Sequence, residues 1–234
     1  TLNASLQDSA ERALQAALDQ GANTGLNTGA IMVTDPRTGA IRAMVGSPDF
    51  HDDEIDGQAN GALTWQTAGS AIKPVVYAAA LEGVTDPDTS QLRYLTPASI
   101  LWDVPTTFNT TPLYSPVNFD SQFRGPVAVR YALQNDLNVP AVKAFDFVGA
   151  AKLQETAARL GLRFPEDTQF GLITALGAVD VRLYDMMTAY GTLANNGARA
   201  QLYAVESITD ADGTLVPVSL RSESEAAISP QVAY

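Results

Sequence analysis

The chain has 234 residues, of which 46% are hydrophobic and 17% are charged. This suffices for one large domain or two small ones with a hydrophobic core, and it excludes a disordered or low-complexity chain. Fourteen basic and 26 acidic residues give a net charge of −12, which disfavours nucleic acid and anionic membrane surfaces as partners. Cysteine is absent, which excludes disulfides, thiolate metal sites and cysteine nucleophiles. As given, the chain shows neither an 18-residue apolar run nor a signal-peptide pattern.

The first predicted elements are a helix and a β-hairpin. Apolar residues recur at helical spacing from Leu6 to Leu18, so we expect an amphipathic helix that ends near Gly21. Within residues 29–46, two segments of alternating polarity flank the turn sequence Asp-Pro-Arg-Thr-Gly, which is typical of a hairpin. Two strands alone do not form a stable sheet, and the rest of the chain offers no good candidate for a further strand.

The next region, about residues 66–200, is predicted to be mainly helical. Residues 126–161 have a helical pattern that breaks at Asn138 and again near Gly149, and a further helix is expected over 180–196. Residues 84–125 are rich in Pro, Thr, Ser and Asp and are too long for a plain connection, which indicates a functional or wrapping segment.

The last predicted elements are a second hairpin and the start of a helix. The hairpin is expected within residues 202–219, with its turn at 210–213. Ser229 is a suitable N-cap, and Pro230 fits the first helical position after it.

Ser70 and Lys73 form the first candidate site, one helical turn apart at the start of an apolar helix. Residues at i and i+3 share a helix face, so the amine would lie beside the hydroxyl. A partly desolvated, neutral lysine there could accept the serine proton and create a nucleophile without histidine. The backbone N–H of Ser70 could supply half of an oxyanion hole. The alternative is an ordinary N-cap serine followed by a surface lysine.

Asn138 is the second candidate, because it precedes Val-Pro at a predicted helix break and its amide could reach into a cleft. The alternative is a turn-forming asparagine. His51, the one histidine, lies in an acidic loop without the spaced partners of a metal site, and we interpret it as a solvated loop residue. We therefore expect no metal and no cofactor.

Five stretches together resemble the transpeptidase domain of class A (bifunctional) penicillin-binding proteins. They are TLNASLQDSAERAL, GAIMVTDPRTGAIRAMVGSPDF, TAGSAIKPVVYAAALEG, YSPVNFDSQFRGPVAVRYALQNDLNVPAVKAF and ITALGAVDVRLYDMMTAYGTLANNG. The resemblance runs nearly end to end, and the family's motifs are Ser-x-x-Lys, Ser-x-Asn and Lys-Thr-Gly. It implies an α+β fold of the penicillin-binding-protein and serine β-lactamase type, in which a helical subdomain lies against a five-stranded antiparallel sheet flanked by helices.

The resemblance also implies a D,D-transpeptidase that acts on peptidoglycan stem peptides. Ser70 would attack the penultimate D-Ala carbonyl, Lys73 would be the general base, and Asn138 would hold the peptide amide. The acyl group would pass to the amine of a neighbouring strand, and β-lactams would acylate Ser70 as substrate mimics. The expected location is the outer face of the bacterial cytoplasmic membrane, reached through an N-terminal anchor that this chain lacks.

Two departures from the family pattern bear on activity. Asp136 stands where the second motif usually has serine, and an ionised carboxylate would hold Lys73 charged. Lys-Thr-Gly is absent, because in the family it lies on a strand after the point where this chain stops. The chain is therefore expected to be a partial domain over residues 1–234 with impaired activity, and the missing C-terminal segment could be supplied as a separate chain.

Two other functions stay open. Asp136 would suit a non-catalytic relative that binds peptidoglycan or a protein partner. A D,D-carboxypeptidase or β-lactamase type of hydrolase would need a water activated for deacylation, for which the sequence has no local signature.

Overall fold

The computed structural model describes residues 2–217 and 224–234. Its helices are α1 (Ala4–Gly21), α2 (Lys73–Glu82), α3 (Val129–Gln134), α4 (Asn138–Leu160), α5 (Leu183–Ala194) and α6 (Pro230–Ala233). Its strands are β1 (Ile31–Thr34), β2 (Ile41–Val45), β3 (Gln66–Thr67), β4 (Val84–Thr85), β5 (Leu92–Arg93), β6 (Ile100–Asp103), β7 (Gly125–Ala128), β8 (Asp180–Val181), β9 (Ala198–Arg199) and β10 (Glu225–Ala226). This mixture of helices and strands is the predicted α+β class.

The chain divides into two compact units. The first comprises Thr1–Gln66, Leu160–Arg163 and Val181–Tyr234, and the second comprises Thr67–Arg159 and Phe164–Asp180. The region expected to be mainly helical, about residues 66–200, is therefore divided between the two units. Helices α2, α3 and nearly all of α4 lie in the second unit, whereas α5 lies in the first.

The first unit begins with the predicted helix and hairpin. The Asn3 side chain caps α1 by accepting a hydrogen bond from the backbone N–H of Leu6 at 3.0 Å. Strands β1 and β2 pair antiparallel, with an irregularity between Val33 and Thr34. The helix and hairpin share a hydrophobic core that contains Ala10, Leu14, Leu18, Ala43 and Val45. Both elements are confirmed, and the periodic apolar residues are the ones that become buried.

A third segment joins the hairpin where the sequence indicated no candidate. The Ile41 backbone N–H donates to Tyr203 O, and the Tyr203 N–H donates to Gly39 O, each at 3.0 Å. This contact forms one parallel bridge rather than a long ladder. A single bridge leaves no alternating pattern in the sequence, which is why the segment could not be predicted.

The C-terminal elements largely follow the prediction. Helix α5 starts three residues after the expected position and contributes Met186 to the buried core. The expected turn at 210–213 is present, since Asp210 N–H donates to Thr214 O at 2.9 Å, and within the described residues one bridge, between Thr209 and Leu215, flanks it. Residues 218 and 219 of that predicted hairpin lie outside the described residues. Ser229 caps α6 through a bond from the Val232 N–H, as expected.

The second unit is built around α2 and α4. Helix α2 is apolar on nearly all sides, and Val75, Val76, Ala79 and Ala80 are each fully buried. Both predicted breaks are present, because α4 starts at Asn138 after a short gap and Gly149 interrupts it with φ 74° and ψ 168°. The long segment after α2 forms two short pairings, β4 with β5 and β6 with β7.

Among the described residues, no helix combines the length and apolarity needed to cross a lipid bilayer.

Candidate active site

Ser70 lies in a single 3-10 turn, Gly69–Ile72, directly before α2 begins at Lys73. The predicted helix start is therefore correct in place, although its first turn is 3-10 rather than α. Such tighter turns are common at helix N-termini, and Pro74 fits the first turn of α2 because no backbone donor is needed there. Ser70 is exposed, so a substrate can reach its hydroxyl.

The turn that carries Ser70 is held by backbone contacts that the sequence analysis missed. Gly69 N–H donates to Gly177 O at 3.2 Å, and Ala68 N–H donates to Val179 O at 2.9 Å. Gly177 has φ +81°, and a Cβ there would lie 1.9 Å from the Gly69 carbonyl oxygen. Only glycine permits this approach. In the sequence, this close approach is marked only by a glycine that follows an apolar run. An ordinary helix end has the same pattern, so the contact could not be predicted.

Lys73 is buried, with 1% of its side chain exposed. Its Nζ donates to three oxygens: Asp136 O at 2.7 Å, Asp136 Oδ1 at 2.6 Å and Asn138 Oδ1 at 2.7 Å. Three acceptors match the three N–H donors of an ammonium group, whereas a neutral amine has two. Because the Lys73 side chain is buried, the surface-lysine alternative is wrong.

Asp136 lies in the gap between α3 and α4, with 64% of its side chain exposed. Its φ of +52° is left-handed, a conformation that aspartate and asparagine adopt more readily than other non-glycine residues. The turn thereby directs both the carbonyl and the carboxylate of Asp136 toward Lys73. The predicted departure from the family pattern is thus in direct contact with the candidate base.

Asn138 is the first residue of α4, and both ends of its side-chain amide are hydrogen-bonded. Oδ1 accepts from Lys73, while Nδ2 donates to Val117 O at 2.9 Å. The structure therefore brings together Lys73, Asp136 and Asn138, with Ser70 one turn before Lys73. Among the described residues, the bonds of Lys73 Nζ go to Asp136 and Asn138, and the expected proximity of the Ser70 hydroxyl stays a prediction.

Two buried polar residues behind this group were not found from the sequence. Asp103 is fully buried at the end of β6, and Asn118 is 2% exposed in the long segment before β7. Their side chains are bonded to each other, and Asn118 Oδ1 accepts from the backbone N–H of Asn138 at the start of α4. Neither belongs to a recognised catalytic motif, so only the folded chain shows that they meet.

Tyr77 is buried one turn after Lys73, and its hydroxyl has no hydrogen-bond partner among the described residues. Burial, together with the negative charges of Asp136 and Asp103, raises the pKa of Tyr77 well above its usual range. The phenol therefore stays neutral.

His51 lies in an exposed loop and makes an edge contact with the Phe50 ring at 5.3 Å between centroids. In the described ranges, no group of three His, Cys, Asp or Glu side chains is placed to hold a metal ion.

Comparison with known proteins identifies the family. The family model for the penicillin binding protein transpeptidase domain matches residues 29–233, so the chain belongs to this family. Penicillin-binding protein 1C of Escherichia coli K12 is 36% identical over 178 residues, which cover 74% of this chain and 21% of that protein. The chain thus corresponds to about a fifth of the length of this relative.

Solved structures share the fold. Penicillin-binding protein 1A from Haemophilus influenzae is 27% identical, with a TM-score of 0.72 over 85% of this chain and 28% of that one. The imipenem acyl-enzyme complex of penicillin-binding protein A from M. tuberculosis matches with a TM-score of 0.77 at 24% identity, over 100% of this chain and 60% of that one. These neighbours support the predicted fold of penicillin-binding-protein type.

Proposed function

We propose that the chain contains the nucleophile of a serine acyl-transferase that cross-links peptidoglycan stem peptides and is acylated by β-lactams. The observation that supports this most directly is the buried Lys73, whose Nζ contacts Asn138 Oδ1 one turn from the exposed Ser70. An exposed hydroxyl one helical turn from a buried amine, with an amide oriented by hydrogen bonds, fits serine activation without histidine.

In the proposed reaction, the Ser70 oxygen attacks the penultimate D-Ala carbonyl of a stem peptide. The serine proton leaves through Lys73, the C–N bond breaks, and the terminal D-Ala departs as an amine that takes up a proton. The Ser70 backbone N–H stabilises the oxyanion. An amine of a second strand then attacks the ester, a C–N bond forms, the ester C–O bond breaks, and the proton returns to the serine oxygen.

Asp136 modifies the first step. Because Lys73 donates three hydrogen bonds, it must lose a proton before it can accept one from Ser70. The Asp136 carboxylate, 2.6 Å away, can take that proton, but its negative charge stabilises the ammonium form. Acylation in this protein is therefore slower than a serine at position 136 would permit.

The same ion pair favours a second candidate function. If Lys73 stays charged, Ser70 is not activated, and the domain serves to bind peptidoglycan or a protein partner. The two candidates differ in whether a covalent adduct forms at Ser70.

The test is labelling of the natural full-length protein with a fluorescent penicillin, followed by gel electrophoresis. We expect a label that is lost in Ser70→Ala and kept in Ser5→Ala, which removes an exposed hydroxyl from α1 in the first unit. No label on the natural protein, or a label that survives Ser70→Ala, overturns the acyl-transferase proposal. The 234-residue chain alone is expected to label weakly, since it has no Lys-Thr-Gly sequence to complete the oxyanion hole.

Stem peptides and β-lactams are thus the proposed partners. The proposed location is the outer face of the cytoplasmic membrane in the bacterial cell envelope, where peptidoglycan is assembled.

A further inference from the structure

We propose that Asp103 and Asn118 are positioning residues for the acylation reaction. They hold the start of α4 so that Asn138 Oδ1 stays in contact with the Lys73 ammonium. The proposal rests on the proposed function for its catalytic consequence, whereas its structural part can be measured independently.

The pair is a buried, charge-assisted contact. Asn118 Nδ2 lies 2.8 Å from Asp103 Oδ1 and 2.9 Å from Oδ2, and it also donates to Gln122 O at 2.7 Å. Asp103 Oδ2 accepts a further bond from the Arg124 backbone N–H at 3.0 Å. A fully buried carboxylate needs such donors to offset its desolvation, so the fold holds Asp103 in one orientation.

Asp103 in turn determines which way the Asn118 amide faces. The NH2 group must face the carboxylate, because a flipped amide would place two acceptors against each other. Asn118 Oδ1 is then directed at the backbone N–H groups of Asn138 and Val139, at 2.8 and 3.3 Å. These are amides of the first turn of α4, which have no partner within the helix.

Asn118 therefore caps α4 from a distant part of the chain. The adjacent residue reinforces the contact, because Val117 O accepts from Asn138 Nδ2. With its backbone N–H and its Nδ2 both held by donated bonds, Asn138 is oriented so that Oδ1 accepts from Lys73 Nζ at 2.7 Å. The chain of contacts from Asp103 through Asn118 to Asn138 thus ends on the candidate base.

The test uses two isosteric variants and their combination. Asn118→Asp places a carboxylate against Asp103, and Asp103→Asn removes the charge that orients Asn118. The double variant Asp103→Asn/Asn118→Asp places a donor opposite an acceptor again, because the new amide at position 103 can donate to the new carboxylate at position 118, while the bond to Gln122 O is lost. That carboxylate can still accept from the two backbone N–H groups of α4. Asn195→Asp is the matched control, since Asn195 Nδ2 donates to Ala198 O at the end of α5.

The first measurement is amide hydrogen exchange in the full-length protein. In Asn118→Asp we expect hydrogen exchange of the Asn138 and Val139 amides to accelerate about tenfold. This corresponds to a decrease of roughly 1.4 kcal/mol in the free energy of local opening at the start of α4. The Asn135 amide, which donates to Tyr131 O at 3.0 Å, should not change. Unchanged exchange at Asn138 and Val139 overturns the positioning role, even if the protein binds no penicillin.

The second measurement is the rate of acylation by a fluorescent penicillin. In both single variants we expect the maximal rate to fall 10- to 100-fold, as is usual for residues that orient a reacting group. The half-saturating concentration should change less than twofold, and the double variant should recover at least part of the rate. If the natural protein is labelled and the single variants keep its acylation rate, the proposal is wrong. It is also wrong if the double variant folds normally but recovers none of the lost acylation rate. If a single variant does not fold, the double variant alone decides, because a positioning role requires it to fold and react.

Discussion

At the scale of single residues, the contact between Lys73 and Asp136 bears most directly on the proposed acylation of Ser70. A buried ammonium in contact with a carboxylate is stabilised in the charged form, whereas the proposed reaction needs it to give up a proton. The carboxylate is mostly exposed, which weakens this stabilisation through solvent screening. In the proposed mechanism, Asp136 therefore slows proton transfer to Lys73.

Replacing Asp136 with serine should accelerate acylation of Ser70. The hydroxyl removes the negative charge beside Lys73 and can both donate and accept a proton, so we expect the acylation rate constant to rise at least about tenfold, or roughly 1.4 kcal/mol in barrier. Stopped-flow measurement with a fluorescent penicillin gives this rate. Asp136→Asn is the control, because it removes the charge but cannot relay a proton, and its gain should be smaller. A slower reaction in Asp136→Ser would mean that the carboxylate is required as a proton acceptor.

Glu82, at the end of α2, gives a pH dependence of stability. Burial acts to raise the pKa of Glu82. Hydrogen bonds from Arg159 and Thr156, together with the charge of Lys152, outweigh burial and bring this pKa below its usual value. A carboxyl group with a depressed folded pKa stabilises the protein above the unfolded pKa, about 4.3, and this contribution is lost as pH falls through the folded value.

The Glu82→Gln variant should therefore be less stable at neutral pH by about 1–2 kcal/mol. Urea unfolding at pH 7 and at decreasing pH measures the difference from natural protein, which should shrink below about pH 4. Glu54→Gln in an exposed loop is the control and should change stability by less than about 0.5 kcal/mol. A difference that is constant with pH would contradict the assigned ion pairs.

At the scale of elements, the 3-10 turn that carries Ser70 depends on backbone contacts with a loop more than 100 residues later in the chain. Gly69 and Gly177 contact each other through backbone atoms, and this fixes where α2 begins relative to the 3-10 helix Leu172–Leu176. The position of Ser70 is therefore determined by backbone packing as well as by its own helix.

Substitution of Gly177 by alanine should unfold or displace this turn. The new Cβ would meet the Gly69 carbonyl at 1.9 Å, in addition to the strain of a residue at φ +81°. Gly213→Ala separates the two effects, because Gly213 has φ +82° but no atom within 4 Å of the added Cβ. We expect Gly213→Ala to cost about 1–2 kcal/mol and Gly177→Ala at least about 2 kcal/mol more, measured by denaturant unfolding. Equal costs would show that the close approach is not maintained in solution.

At the scale of the whole molecule, two units with their own buried residues carry a net charge of −12. Penicillins are anions at neutral pH because of their carboxylate, so the overall field opposes their approach. Screening reduces this repulsion as the Debye length falls to about 10 Å at 0.1 M salt.

The second-order rate constant for acylation should accordingly rise about twofold between 20 and 300 mM KCl. The measurement is the same labelling reaction at low penicillin concentration, with sucrose of equal osmolality as a control for solvent effects. A rate that falls with salt would show that positive charges close to Ser70 outweigh the field of the whole chain.

The sequence by itself determined α1, the first hairpin and the family, and it supplied the candidate residues. Helical spacing located α1, turn residues located the first hairpin, and the Ser70–Lys73 pair together with the motif around Asn138 led to the proposed site. These are local features, since each depends on residues within a few positions of one another. The end of the second predicted hairpin falls on residues that the structure does not describe.

Tertiary structure alone decided what those residues touch. It showed that Lys73 is buried and bonded to Asp136 and Asn138 rather than to Ser70, and that Asp103 and Asn118 hold α4 from a distant segment. It also showed the backbone contact of Gly69 with Gly177 and the bridge of Tyr203 to the hairpin. Such contacts join residues tens to more than a hundred positions apart, and no periodicity or spacing within the sequence records which distant groups will meet.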